Sequence, residues 1–101
     1  MNDPNWQLTV YLGRTTIDAA AAGLQLMDWL TTQASDIKWT LANGRIQFRA
    51  AHPFCTLHPK AAHLTCRIQQ NGRAHTHQLT NTNDLNTELQ YHILQAYQEA
   101  K

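Results

Sequence analysis

Two Asn-Gly dipeptides, Asn43-Gly44 and Asn71-Gly72, constrain the fold of this 101-residue chain more than any other feature. Asn-Gly is the preferred pair for the central positions of a type I′ turn, which joins neighbouring antiparallel strands. Over residues 37–79 apolar and polar residues alternate, as they do in half-buried strands. The sequence therefore predicts two hairpins, each closed by a two-residue turn.

These turns fix the pairing within each hairpin. In the first hairpin Lys38 lies opposite Arg49, and Trp39 lies opposite Phe48. In the second hairpin Cys66 lies opposite His77.

The stretch FCTLHPKAAHLTC, residues 54–66, connects the two hairpins. A loop centred on residues 59–62 pairs Cys55 with Cys66 and places both cysteines in one row with His77. Strand alternation then turns Phe54 outward, which favours a covered second sheet face or a slipped register. The result is an antiparallel meander of five strands at about 37–42, 45–50, 53–58, 63–70 and 73–79.

A helix is predicted on each side of the meander. Thr15 and Asp18 have the spacing of a capping box at the start of the first helix. The second helix extends from about Asp84 to Ala100 and is capped by Asn83 or Asp84. The predicted core-facing residues of the first helix are Ile17, Ala20, Ala21, Leu24, Met27 and Leu30. Those of the second are Leu85, Leu89, Ile93, Ala96, Tyr97 and Ala100.

This order of elements predicts an α+β fold: an N-terminal helix, a five-stranded antiparallel meander and a C-terminal helix, with the helices packed on one sheet face. The length favours a single domain, 1–101, with its core over about 8–100. No apolar run approaches the ~18 residues that span a bilayer, and the N-terminus lacks a basic segment followed by an apolar one. We therefore expect a cytoplasmic protein, in which the cysteines are reduced.

Charge is distributed unevenly along the chain. All seven acidic residues lie outside residues 37–83. The middle segment has only basic charged residues, which are Lys38, Arg45, Arg49, Lys60, Arg67 and Arg73. A basic middle is thus flanked by acidic ends.

The cysteines and histidines raise three kinds of chemistry. Cys55, Cys66 and His77 would suit zinc, but their expected position on the covered face favours buried thiols, with a disulfide as a further alternative. The same burial argues against a thiol nucleophile. His75 and His77 point the same way and are expected either under the C-terminal helix or in a polar pocket at the sheet end. We predict neither catalysis nor a cofactor.

The outward sheet face is the stronger functional candidate. Like charges that face each other across two strands are unfavourable unless something offsets them. Solvent and salt, an acidic protein surface, or nucleic-acid phosphates would each do so. The predicted binding residues are Lys38, Arg45, Arg49, Arg67 and Arg73.

The aromatic residues bear on oligomeric state. Trp6, Tyr11, Trp29 and Phe54 exceed what one small core must bury. Because symmetric pairs are common among soluble proteins, this surplus favours a homodimer.

The chain also resembles a small bacterial family, domain of unknown function 5655, over roughly residues 8–100. The resemblance rests on Ile46-Gln-Phe48-Arg, Phe54, Pro59, His63-Leu64-Thr-Cys-Arg-Ile68, Gly72-Arg73, His75, His77-Gln-Leu79, Asp84-Leu85, and Leu89 through Ala96-Tyr97. Two positions depart from the family pattern: Ala74 replaces an aromatic residue, and a tryptophan is missing near His92-Ile93. The resemblance implies an α+β domain with an accessory binding role, linked to bacterial nuclease or defence systems, and it supplies no catalytic residues.

Taken together, these features predict a small non-catalytic interaction module whose basic sheet face contacts an acidic protein or nucleic acid. One alternative is a phage-type protein inhibitor of a nuclease, which needs only complementary charge and shape. The other alternative is a metal-binding or thiol-dependent protein built on Cys55, Cys66 and His77.

Overall fold

A computed structural model describes residues 13–42, 44–70 and 72–101 of the chain. An N-terminal helix is followed by five strands, a short 3-10 turn and a C-terminal helix. The elements are α1 (Ile17–Gln33), β1 (Lys38–Ala42), β2 (Arg45–Arg49), β3 (Pro53–Pro59), β4 (Leu64–Gln70), β5 (Arg73–Leu79), the 3-10 turn (Thr82–Asp84) and α2 (Thr87–Ala100). This order confirms the predicted α+β fold.

The five strands form one antiparallel sheet in sequence order, so each strand pairs with the next along the chain. The registers of both Asn-Gly hairpins are confirmed: Lys38 pairs with Arg49 and Cys66 pairs with His77. Gly44 and Gly72 both have φ of 73°, in the left-handed region that glycine adopts without steric cost. The glycines therefore allow the tight turns that set these registers.

The predicted register of the middle hairpin is wrong by two residues. Cys55 pairs with Ile68, and Cys66 pairs with Leu57. The loop covers residues 60–63 and is closed by a hydrogen bond of 2.8 Å from the Lys60 amide to the His63 carbonyl. Because the shift is an even number of residues, the shift itself leaves each side chain on its predicted face.

Strand alternation predicts that Phe54 faces outward, and this prediction is wrong. Phe48 pairs with Cys55 but Arg49 pairs with Pro53, so the ladder between β2 and β3 contains a bulge at this point. A bulge disrupts strict alternation, and both Phe54 and Cys55 are buried. The Phe54 ring packs against Tyr97 of α2, with 5.7 Å between ring centroids.

The start of α1 differs from the prediction by one residue. The N-cap is Thr16, whose Oγ1 accepts a hydrogen bond of 3.1 Å from the Ala19 amide. The predicted buried stripe is also wrong in the first turns, where Ile17 is 87% exposed and Leu24 is 44% exposed. The residues of α1 that are buried are Ala19, Ala22, Gly23, Leu26, Met27 and Leu30. Residues 19–22 are all alanine, so hydrophobicity alone does not locate the buried side.

The C-terminal helix begins later than predicted. The 3-10 turn is capped by Asn81, and α2 is then capped by Asn86, whose Oδ1 accepts a hydrogen bond of 2.9 Å from the Leu89 amide. The predicted core-facing residues from Leu89 to Ala100 are buried, and Leu85 is partly buried.

The two helices contact β4 and lie on one side of the sheet, where they enclose one apolar core. The opposite side is not covered by any described element, and we call it the outer face. Its polar strand positions are Lys38, Thr40, Arg45, Gln47, Arg49, Thr56, His58, Thr65, Arg67, Gln69, Thr76 and Gln78. Neither described helix is long and apolar enough to cross a membrane.

Candidate phosphate-binding face

The outer face brings together most of the basic residues predicted to bind. Lys38, Arg45, Arg49 and Arg67 are all exposed on it. Arg73 is also exposed, but strand alternation places it on the helix side, two positions from His75. Lys60 takes its place, because the loop after β3 carries this side chain to the edge of the face.

These five cations, Lys38, Arg45, Arg49, Lys60 and Arg67, are not balanced by any acidic residue that the structure describes. None of them forms an ion pair with a carboxylate in the part of the chain that the structure describes. The described acids lie on the helices and their flanking loops. The outer face therefore carries a positive charge that the described residues leave uncompensated.

A cavity of about 230 Å³ opens at one end of this face. It is lined by three cationic side chains, Arg45, Lys60 and Arg67, and by the half-buried His58. Three hydroxyl groups complete the lining, those of Thr56, Thr65 and Thr76. We call this cavity the basic hollow.

Strand pairing explains how the basic hollow is formed. Thr56 pairs with Arg67, and Arg67 pairs with Thr76, so the three lie in one row across β3, β4 and β5. His58 pairs with Thr65 in the next row. Since neighbouring strands are about 4.8 Å apart, each row places its side chains side by side over the sheet.

His58 reports the electrostatic environment of the basic hollow. Its pKa is lowered from its ordinary value of 6.5, first by partial desolvation and then by the positive charges of Lys60 and Arg45. A cationic imidazole is therefore disfavoured there, mainly because of desolvation and further because of the two neighbouring positive charges.

The two cysteines lie in the core as free, buried thiols. Their Sγ atoms are 3.8 Å apart in the core, and both thiols are free. The pKa of the Cys55 thiol lies well above its usual range, because of its hydrogen bond with Cys66 and because of burial. No three His, Cys, Asp or Glu side chains are placed to hold a metal ion anywhere in residues 13–42, 44–70 and 72–101. The alternative of a zinc site on Cys55, Cys66 and His77 stays a prediction, which this geometry does not support.

His75 and His77 lie on the helix side of β5, at the edge of the sheet. Both rings stack on His92 of α2, with centroid distances of 6.5 Å and 6.3 Å. His77 also lines a separate cavity of about 310 Å³, together with Asp84 and Glu88. These carboxylates make that second cavity unsuitable for an anion.

The predicted binding residues do not include His58 and Lys60, although both line the basic hollow. Strand alternation does indicate the position of His58, because it places this side chain on the same face as Thr56. Lys60 lies in a loop, where alternation does not apply.

Of the aromatic residues behind the predicted homodimer, Trp6 and Tyr11 lie outside the described residues. Trp29 is half-buried, and Phe54 belongs to the core. Phe54 therefore no longer supports that prediction.

No protein-family model, no curated protein and no solved structure matches this chain. The resemblance to domain of unknown function 5655 remains a prediction.

Proposed function

We propose that this chain is a non-catalytic binding module whose outer face contacts the phosphate groups of nucleic acid. The observation that carries the proposal is the group of five cations on and beside one open sheet face, without a described carboxylate among them. Arginine, lysine, threonine and glutamine are the side chains that commonly contact phosphate and sugar.

The chemistry of the face favours nucleic acid over an acidic protein. Protein interfaces are usually organised around a buried apolar centre with aromatic anchors. The outer face has no large apolar side chain at any described strand position, because Trp39, Phe48 and Phe54 are turned to the helix side. Interfaces with nucleic acid are more polar and more positively charged, as this face is.

The same arrangement indicates the mode of binding. Proteins that bind single strands through a sheet usually stack bases on exposed aromatic rings. The described outer face has no such ring, so the contacts fall on the phosphate backbone. Binding is then largely independent of base sequence.

The placement of charge also limits how two copies would associate. A twofold dimer brings the same surface of each copy together. Through the outer face it would oppose two sets of cations, so a homodimer would use another surface. Light scattering at tens of micromolar distinguishes a dimer from a monomer.

Fluorescence anisotropy with a short labelled DNA duplex tests the proposal. We expect the wild type to bind, and we expect the variant with Arg45→Glu, Arg49→Glu and Arg67→Glu to lose affinity by at least about 100-fold. The single variants Arg67→Glu and Arg73→Glu form a matched pair, because each reverses an exposed arginine of the second hairpin but on opposite faces.

Arg67→Glu should weaken binding by several-fold more than Arg73→Glu, with circular dichroism confirming that both are folded. Equal losses in the two variants would show only a general effect of net charge and would contradict the assignment of the face. Specific capture of an acidic protein by the wild type, without binding to DNA, would replace nucleic acid with that protein as the partner.

A further inference from the structure

We propose that the basic hollow binds a terminal phosphate group of the nucleic-acid strand, and this inference rests on the proposed function. The basic hollow differs from the rest of the outer face in two respects. It concentrates three of the five cations, and it adds three hydroxyl groups around one cavity. A single compact anion fits this arrangement better than an extended backbone does.

The charge of the basic hollow matches a phosphomonoester. A phosphate monoester carries a charge of about −1.5 to −2 at neutral pH and presents three strong acceptor oxygens. An internal phosphodiester has one negative charge and two such oxygens. Arg45, Lys60 and Arg67 together supply the positive charge that the monoester requires.

The sheet fixes the backbone positions of the strand residues that line the basic hollow before a ligand arrives. Arg67 lies between Thr56 and Thr76 in the row across three strands. Threonine side chains are restricted at χ1, so their hydroxyls lose little freedom on binding. The guanidinium group of arginine can also donate two parallel hydrogen bonds to one phosphate.

Partial enclosure strengthens these contacts. Thr56, Thr65 and His58 are half-buried, whereas Lys38, Thr40 and Arg49 at the other end of the outer face are exposed. Charge-assisted hydrogen bonds are stronger where water is partly excluded. The cations around His58 also make its protonation state a local reporter, because a bound dianion would offset them and raise its pKa.

The position of the basic hollow favours a strand end over a free phosphate ion as the source. Arg45, which lines the basic hollow, is at one end of β2, and Arg49 is at the other end, opposite Lys38. Four steps along the strand separate Arg45 from Arg49 by about 13 Å. A nucleic-acid strand anchored in the basic hollow by its terminal phosphate would thus reach Arg49 and Lys38 with phosphates further along its backbone.

The test compares one labelled DNA duplex in three forms: with a phosphate at the 5′ end, with a phosphate at the 3′ end, and with neither. We expect one phosphorylated form to bind at least about tenfold more tightly than the unphosphorylated form, as one added charge-assisted hydrogen bond would give. The double variant Thr56→Val, Thr65→Val should reduce this ratio towards one without a change of charge. The matched control Thr40→Val, on the outer face but outside the basic hollow, should preserve it.

The second measurement is the pKa of His58, followed by NMR in the wild type as methyl phosphate is added. A rise in that pKa supports occupation of the basic hollow by a phosphomonoester. If all three duplexes bind equally, the terminal-phosphate site is overturned while the proposed function stands. If no duplex binds but methyl phosphate raises the His58 pKa, nucleic acid is overturned as the source of the phosphate and the proposed function fails.

Discussion

Lys38 and Arg49 lie directly opposite each other across the first hairpin, both exposed on the outer face. No described carboxylate is paired with either of them. Like charges in this arrangement destabilise a strand pair. The hairpin is therefore less stable than the same backbone with an opposite charge at one of the two positions, and phosphate is the counter-charge that we propose for it.

Replacing Arg49 by glutamate should stabilise the protein while weakening binding. The repulsion is replaced by a cross-strand ion pair, so the free energy of unfolding should rise by about 0.5 to 1 kcal/mol at low salt. Urea denaturation measures this change. The Arg49→Gln variant is the control, since it removes the repulsion without adding an ion pair and should give a smaller gain.

The increases in the free energy of unfolding of Arg49→Glu and Arg49→Gln should both become smaller as salt is added, because exposed charges are screened. A loss of stability in Arg49→Glu at low salt would show that Arg49 has a favourable interaction in the native protein, contrary to this interpretation.

The two thiols should react only when the protein unfolds. Cys55 and Cys66 are at most 1% exposed, and the hydrogen bond between them and burial hold the pKa of Cys55 well above its usual range. Labelling by a thiol reagent should be at least about 1000-fold slower in native protein than in urea. Rapid labelling of the native protein would favour a thiol-dependent function over buried, unreactive thiols.

His77 should make the protein less stable in mild acid. Its pKa is lowered from 6.5, mainly by desolvation and then by His92 and His75, while the negative charge of Glu88 acts in the opposite direction. Because the folded state binds this proton less readily than the unfolded state, stability is fully present above pH 6.5. It is lost as the pH falls through 6.5 towards the lowered folded-state pKa.

The urea midpoint should therefore fall between about pH 7.5 and about pH 5.5, and the fall should be smaller in His77→Gln. His52→Gln provides the control, because His52 is exposed and is not part of the stacked group of His75, His77 and His92. An unchanged pH dependence in His77→Gln would exclude His77 as the source.

The hydroxyl of Tyr97 links α2 to the loop before β1 through a hydrogen bond of 2.6 Å to Asp36 Oδ1. This bond, followed by burial and the charge of Asp36, raises the pKa of Tyr97 above its ordinary value of 10.0. The stability that the bond contributes is present below pH 10.0 and is lost as the pH rises through the raised pKa.

Tyr97→Phe should lower the urea midpoint at neutral pH, and the difference from wild type should disappear in strong alkali. Tyr91 is 58% exposed, so Tyr91→Phe is a control that should leave the midpoint nearly unchanged. Equal midpoints for wild type and Tyr97→Phe would mean that the bond adds nothing in solution.

The fold could be predicted from sequence wherever local chemistry sets the backbone. Each Asn-Gly turn fixes its hairpin register, so the pairing of Lys38 with Arg49 and of Cys66 with His77 followed directly. The middle loop has no such signal, because neither Pro59 nor the residues after it require one turn type. The predicted register of the middle hairpin therefore differs from the observed one by two residues. The partner of Cys55 is different, but its side chain lies on the predicted face.

The predicted position of Phe54 is wrong because of tertiary structure. The predicted cap Thr15 is wrong because a neighbouring residue can also serve as the cap. A bulge depends on how two strands meet, so strict alternation missed the burial of Phe54. Thr15 and Thr16 are adjacent and chemically equivalent as caps, and the choice between them depends on backbone geometry. For the site, alternation found the cations of the strands but not Lys60, whose position depends on the fold of a loop.

The most direct test of the central claim is the salt dependence of DNA binding by the wild-type protein. If four of the five cations neutralise phosphates, a plot of log affinity against log salt should have a slope of about −3.6, and a fourfold rise in salt should weaken binding by roughly 100-fold. The Arg67→Glu variant should have a shallower slope, and Arg73→Glu should keep the wild-type slope. A wild-type slope near zero, or no measurable binding at low salt, would contradict phosphate recognition by the outer face.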